Sequence, residues 1–145
     1  MQILVRLTIA EVQAYADVMR QVVMGPLYDG GSDGQMRSRI YAILKTALQT
    51  VGITYISDAR IREPGWYGPR NLDHSGELEV EFPDEMFGIA QILCGNISHM
   101  LRERDEETSG FLRSAAEKMR ISLSYAGYAY DHGRGWVKSG KKLVS

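Results

Sequence analysis

The chain has 145 residues, 44% of them apolar and 24% charged, with 17 basic against 18 acidic side chains. That length suits a single domain whose core needs neither disulfides nor metal to hold it. The near-zero balance excludes a uniformly basic nucleic-acid coat and a disordered acidic chain, and a lone cysteine, Cys94, excludes a disulfide framework or a cysteine-rich zinc module.

In chain order, residues 2–7 (QILVRL) form a short branched apolar run expected to be a strand. Thr8 opens T-I-A-E, a capping box in which Thr8 and Glu11 satisfy each other's exposed amides. A helix follows to about Met24, with Ile9, Val12, Ala16, Met19 and Val23 at helical spacing, and Gly25-Pro26 ends it. After the glycine-rich loop 27–34, a second helix is expected from about Gln35 to Thr50, stopped by Gly52.

Ile53 to Ile61 has the composition of a strand. In the segment 62–70, Pro64, Gly65, Gly68 and Pro69 are expected to break any ladder. Glu77–Phe82 alternates strictly, with Leu78, Val80 and Phe82 on a core face and three glutamates in water. Pro83, Asp84 and Glu85 suit the first turn of a third helix, which is apolar almost all round to about Arg104 and therefore belongs in a core or an oligomer interface. A fourth helix opens at Glu106 and ends by Gly127.

The expected fold class is α+β: a small antiparallel or mixed sheet of about three strands packed with four helices, in the order β-α-α-β-β-α-α. Residues 1–132 are expected to form one domain and 133–145 a basic, flexible C-terminal tail. No internal repeat or interdomain linker is legible. No run of apolar residues is long enough to span a bilayer and the N-terminus lacks signal-peptide character, so a soluble, cytoplasmic protein without membrane association is expected.

The charge balance conceals unlike blocks. Residues 1–72 carry eight basic and six acidic side chains, 73–107 two and ten, and 108–145 seven and two. The acidic and basic blocks could lie against each other in one domain, pair between subunits, or offer the basic block to an anionic partner.

Two segments look ligand-like. Arg60, Arg62 and Arg70 flank Trp66 and Tyr67 on a proline-stiffened loop, where guanidinium forks suit phosphate or carboxylate and the rings suit stacking or a protein hot spot; equally, Trp66 could plug the core. Tyr125, Tyr128, Tyr130, Asp131, His132 and Trp136 stand beside Arg134, Lys138, Lys141 and Lys142, a basic aromatic patch that suits single-stranded nucleic acid or a tail folded back onto the domain.

Other motifs are weaker. The Gly30–Gly34 loop precedes a helix and could bind an anion, but Asp29 and Asp33 oppose one and Asp33 suits a helix cap. Gly135–Lys142 imitates a phosphate loop but places Lys142 where Ser or Thr is needed. His99 and Glu103 are four apart, the spacing of a helical metal pair, yet two ligands do not make a site, and Asp131-His132 lacks a marked nucleophile.

No cofactor, metal or catalytic set is therefore expected. The function expected is a non-enzymatic binding protein, a regulator, inhibitor or adaptor, acting as a homo-oligomer on a protein or anionic partner. The alternatives are a nucleotide or single-stranded nucleic-acid binder, and a small hydrolase or transferase built around Asp131/His132 or His99/Glu103.

Overall fold

A computed structural model describes residues 1–24 and 32–138, the side chains of residues 32 and 33 excepted. Alternation decides the first strand: in β1 (Gln2–Thr8), Ile3, Val5 and Leu7 are buried while Gln2, Leu4 and Arg6 face outward. It pairs with β4 (Glu77–Pro83), which buries Leu78, Val80 and Phe82 and exposes its glutamates. The Met1 carbonyl accepts from the Asp84 amide at 3.0 Å and Arg6 reaches Glu79 at 3.3 Å, so the two strands run in opposite directions.

The capping box forms at the start of α1 (Ile9–Met24). The Thr8 amide donates to Glu11 Oε1 at 2.7 Å, and the Glu11 amide donates to Thr8 Oγ1 at 3.1 Å. Thr8→Ala is expected to lower stability by about 1 kcal/mol, read as a lower urea midpoint at an unchanged slope.

Helix α2 (Ser32–Gln49) packs on α1 and begins three residues before the expected Gln35, so Gly34 is helical. Gly52, at φ +81°, ends the following turn in a conformation open to glycine and strained for other residues.

β2 (Thr54–Ile56) is shorter than the expected 53–61 strand. Asp58 turns the chain: its carboxylate accepts from the Arg60 amide at 3.0 Å and its carbonyl from the Ile61 amide at 3.0 Å. The returning chain forms β3 (Gly65–Tyr67) inside the segment expected to hold no strand. The register is antiparallel, Tyr55 opposite Trp66 and Ile56 opposite Gly65. Pro64 and Pro69 flank this strand rather than occupy it, so the ladder survives them.

Helix α3 (Asp84–Leu101) follows Pro83, and α4 (Glu106–Tyr125) packs along it. Asp105 caps α4 by accepting from the Thr108 amide at 3.1 Å, and the Thr108 hydroxyl and amide hold its carboxyl below the usual range. A depressed folded pKa contributes stability above the unfolded value, near 3.8, that is lost as pH falls through the folded value. Asp105→Asn keeps a cap that does not ionise, so acid denaturation followed by circular dichroism should show a shallower loss for the variant than for the wild type.

After Gly127, at φ +92°, the chain closes with an antiparallel hairpin of β5 (Tyr128–Asp131) and β6 (Gly135–Lys138). Residues 135–138, assigned to the tail by sequence, are thus a strand; residues 139–145 lie outside the described residues. The class is α+β: the described residues form four helices and six short strands in three two-stranded sheets, and the observed order contains the expected β-α-α-β-β-α-α. The chain divides into two compact units, Thr8–Leu78, and Met1–Leu7 with Glu79 onward. Among the described residues, no helix is long and apolar enough to cross a membrane.

The element order is β-α-α-β-β twice over, which corrects the expectation of no internal repeat. Gly52 and Gly127, both at positive φ, are 75 positions apart. The same spacing takes buried Val5 to Val80, Val12 to Phe87, Met19 to Cys94, Leu44 to Met119 and Leu48 to Leu123. Across residues 2–56 only Val5/Val80, Leu48/Leu123, Gly52/Gly127 and Tyr55/Tyr130 are identical at this spacing, so what repeats is burial, and the residues themselves do not.

Candidate functional site

In the unit 8–78, the Arg60–Arg70 segment is organised around Trp66. The indole Nε1 donates to Asp17 Oδ1 on α1 at 2.9 Å, and the ring meets Tyr55 edge-on at 5.2 Å. Asp17 also accepts from Arg20 at 3.1 Å and from Gln21 at 2.9 Å, and the Arg20 guanidinium lies 4.2 Å over the Tyr55 ring. Trp66 is half-buried, and its polar atom is held inside the fold.

Around it the arginines are exposed. Arg60 pairs with Asp58 at 3.2 Å, and Arg62 stacks on Tyr67 at 3.8 Å while the Tyr67 hydroxyl donates to the Glu63 carbonyl. Arg70 is exposed beyond the strand. The aromatic faces proposed for stacking are therefore engaged locally, and the guanidinium groups of Arg62 and Arg70 remain at the surface.

In the other unit, the β5–β6 hairpin gathers the second set of residues. The Trp136 indole Nε1 donates to Gln91 Oε1 on α3 at 2.7 Å. Its Cβ passes so close to Gly88 that a methyl there would sit 2.9 Å away, so α3 admits this strand because residue 88 has no side chain. Tyr130 meets Trp136 and His132 edge-on, at 5.6 and 5.3 Å.

Tyr128 donates its hydroxyl to Asp84 Oδ2 at 3.3 Å, and burial with the Asp84 charge raises its pKa; Asp84 is itself held low, chiefly by the Glu85 side chain, with the Glu85 amide and the Tyr128 hydroxyl adding to it. Lys138 lies 5.8 Å over the Tyr128 ring. Tyr130, His132, Arg134 and Lys138 are exposed, and a cleft of about 320 Å³ opens between Ile89, Trp136, Arg134 and Asp84. The Arg60–Arg70 and Tyr128–Lys138 sets belong to different compact units.

The alternative catalytic pairs are differently placed. Asp131 accepts from the Gly133 and Arg134 amides at 2.8 and 3.1 Å, so its carboxylate builds the hairpin turn, while the His132 ring rests against Tyr130. His99 is in the last turn of α3 and Glu103 lies beyond its C-cap, Arg102, so the two do not share a helix face as the spacing suggested. Cys94 is buried and its thiol donates to the Leu112 carbonyl at 3.2 Å. No group of three or more metal-ligating side chains occurs among the described residues. The Gly30–Gly34 loop falls partly outside the described residues, and Gly34 lies in α2.

Sequence reasoning missed a third place. A groove of about 420 Å³ runs between α3 and α4, floored by Gly95, Ser98, Ser109 and Ala116 and rimmed by His99, Arg102, Arg113 and Glu117. The two serines lock the helices together: Ser98 Oγ donates to the Ser109 carbonyl at 2.9 Å and Ser109 Oγ to the Ser98 carbonyl at 2.7 Å. The signal was present as small and cationic residues at helical spacing, positions 95, 98, 99 and 102 facing 109, 113 and 116.

The chain matches no known protein family, no curated protein and no solved structure.

Proposed function

We propose that this chain is a non-enzymatic binding protein, a regulator, inhibitor or adaptor, that engages an acidic surface of a protein partner through its β5–β6 hairpin. One observation carries this: Tyr130, His132 and Trp136 stand edge to edge on a pinned hairpin, with the cations Arg134 and Lys138 exposed around them. Aromatic anchors with a cationic rim are what protein hot spots use, and a support fixed in advance reduces the ordering cost of binding. The excess of five positive charges over residues 108–145 favours an acidic partner. Exposed Ile89 and Met100 on α3 support self-association through that helix.

Tyr130→Ser combined with Lys138→Glu alters two exposed side chains and should leave the fold intact. Affinity capture from a native extract should recover a partner with the wild type that the double variant loses; equal recovery by both overturns the proposal. Salt-sensitive binding of a single-stranded oligonucleotide that the variant also loses would assign the surface to nucleic acid instead. A strict monomer in light scattering at high concentration would remove the self-association.

A further inference from the structure

The groove between α3 and α4 owes its existence to a difference between the two repeats. At the 75-residue spacing, Gly95 and Ala116 on its floor correspond to Arg20 and Tyr41 in α1 and α2. In the first repeat those large side chains occupy the helix pair: Arg20 is folded onto Asp17 and Tyr55, and Tyr41 is 8% exposed with its pKa raised by burial against the opposing pull of Arg20. In the second repeat the helices meet through small atoms, and a Cβ on Gly95 would lie 3.9 Å from the Ala116 methyl.

Polarity changes in the same direction. Buried Val23 and exposed Met24 become Ser98 and His99, and Ser38 becomes Arg113. Arg102, just past the end of α3, and Arg113 on α4 thus reach one groove. Among the described residues neither guanidinium is paired with a carboxylate, and the acid on this rim, Glu117, is held by Arg120. Two guanidinium forks without carboxylate partners, over a floor without bulk, match an oxyanion with a small body attached.

We propose that this groove binds a small organic phosphate, its phosphoryl oxygens between Arg102 and Arg113 with His99 beside them, and its body along Gly95 and Ala116. The site shares no cation with the hairpin face, so either can fail without the other.

The test is calorimetric titration of the full chain at low ionic strength with inorganic phosphate and with AMP. Both should bind saturably, AMP more tightly because it also covers the floor. Arg102→Gln and Arg113→Gln, both at exposed positions, should each weaken binding about tenfold or more. Ala116→Tyr, which restores the residue of the first repeat, should abolish AMP binding. Should Ala116→Tyr fail to fold, the arginine variants decide alone. No saturable binding of either probe at millimolar concentration, or binding unchanged in both arginine variants, would overturn the proposal. Phosphate binding as tight as that of AMP would overturn the placement of a body on the floor.

Discussion

Trp66→Ala is expected to lower the stability of the unit 8–78 by about 2–3 kcal/mol, less than a fully buried indole because Trp66 is only half-buried. The loss has three parts. The indole body leaves the space between β3 and α1, the edge contact with Tyr55 disappears, and Asp17 loses the donor at 2.9 Å that joins it to a strand 49 positions away. The remaining donors to Asp17, Arg20 and Gln21, come from its own helix, so among the described residues no other hydrogen bond to that carboxylate ties α1 to the β2–β3 pair. Trp66→Phe separates the parts: it keeps a ring near Tyr55 and removes the N–H, and should cost about 1 kcal/mol. Urea denaturation of the two variants checks the order. Equal stability of Trp66→Ala and the wild type would mean that the indole is a surface group after all, available to a ligand.

The sequence showed most of this fold because the strongest local signals are also the ones tertiary packing respects. Strict alternation in residues 77–82 can satisfy only one buried face, the branched apolar run 2–7 suits a strand, and the T-I-A-E box has its function within four residues. The failures share a cause as well. Pro64 and Pro69 argue against a strand locally, yet they stand outside the three residues that pair, and only the partner β2 reveals this. Residues 135–138 have the composition of a loose tail, and they become a strand because Gly88 lets Trp136 approach α3. The repeat was invisible for a different reason: burial constrains volume and polarity more than identity, so Val12 and Phe87, or Tyr15 and Ala90, serve equivalent positions without resembling each other.

The candidate sites divide along the same line. The Arg60–Arg70 loop and the Tyr128–Lys138 patch were visible because their residue types cluster in sequence, whereas the α3–α4 groove brings together His99, Arg102 and Arg113 across a helical turn and an interhelix contact. The charge blocks also act locally. Arg120–Glu117 and Arg134–Asp131 join residues three apart within the basic block, which leaves the rest of its positive charge to shape the surface. Such exposed pairs contribute little stability, so the block is better understood through what it attracts than through what it holds together.

Trp136→Ala should produce the most selective change in the molecule. Trp136 holds the hairpin to α3 through the 2.7 Å bond to Gln91 and through its contact with Gly88, and it supports the exposed Tyr130 ring edge-on. Removing it costs about 2–3 kcal/mol of contact, enough to exceed the local stability of a two-stranded hairpin, which is marginal by itself in water. The β5–β6 amides should therefore lose hydrogen-exchange protection while α3 and α4 keep theirs, because the Phe82–Phe87 contact and the Ser98–Ser109 lock do not involve the hairpin. Gly88→Leu should give the same pattern from the helix side, since its added side chain occupies the place of the Trp136 Cβ. Partner capture should fall in both variants, although neither changes Tyr130, Arg134 or Lys138. Retained capture with an unprotected hairpin would show that the partner does not need the pinned arrangement. Loss of protection throughout α3 and α4 would instead make Trp136 a part of the unit's cooperative core.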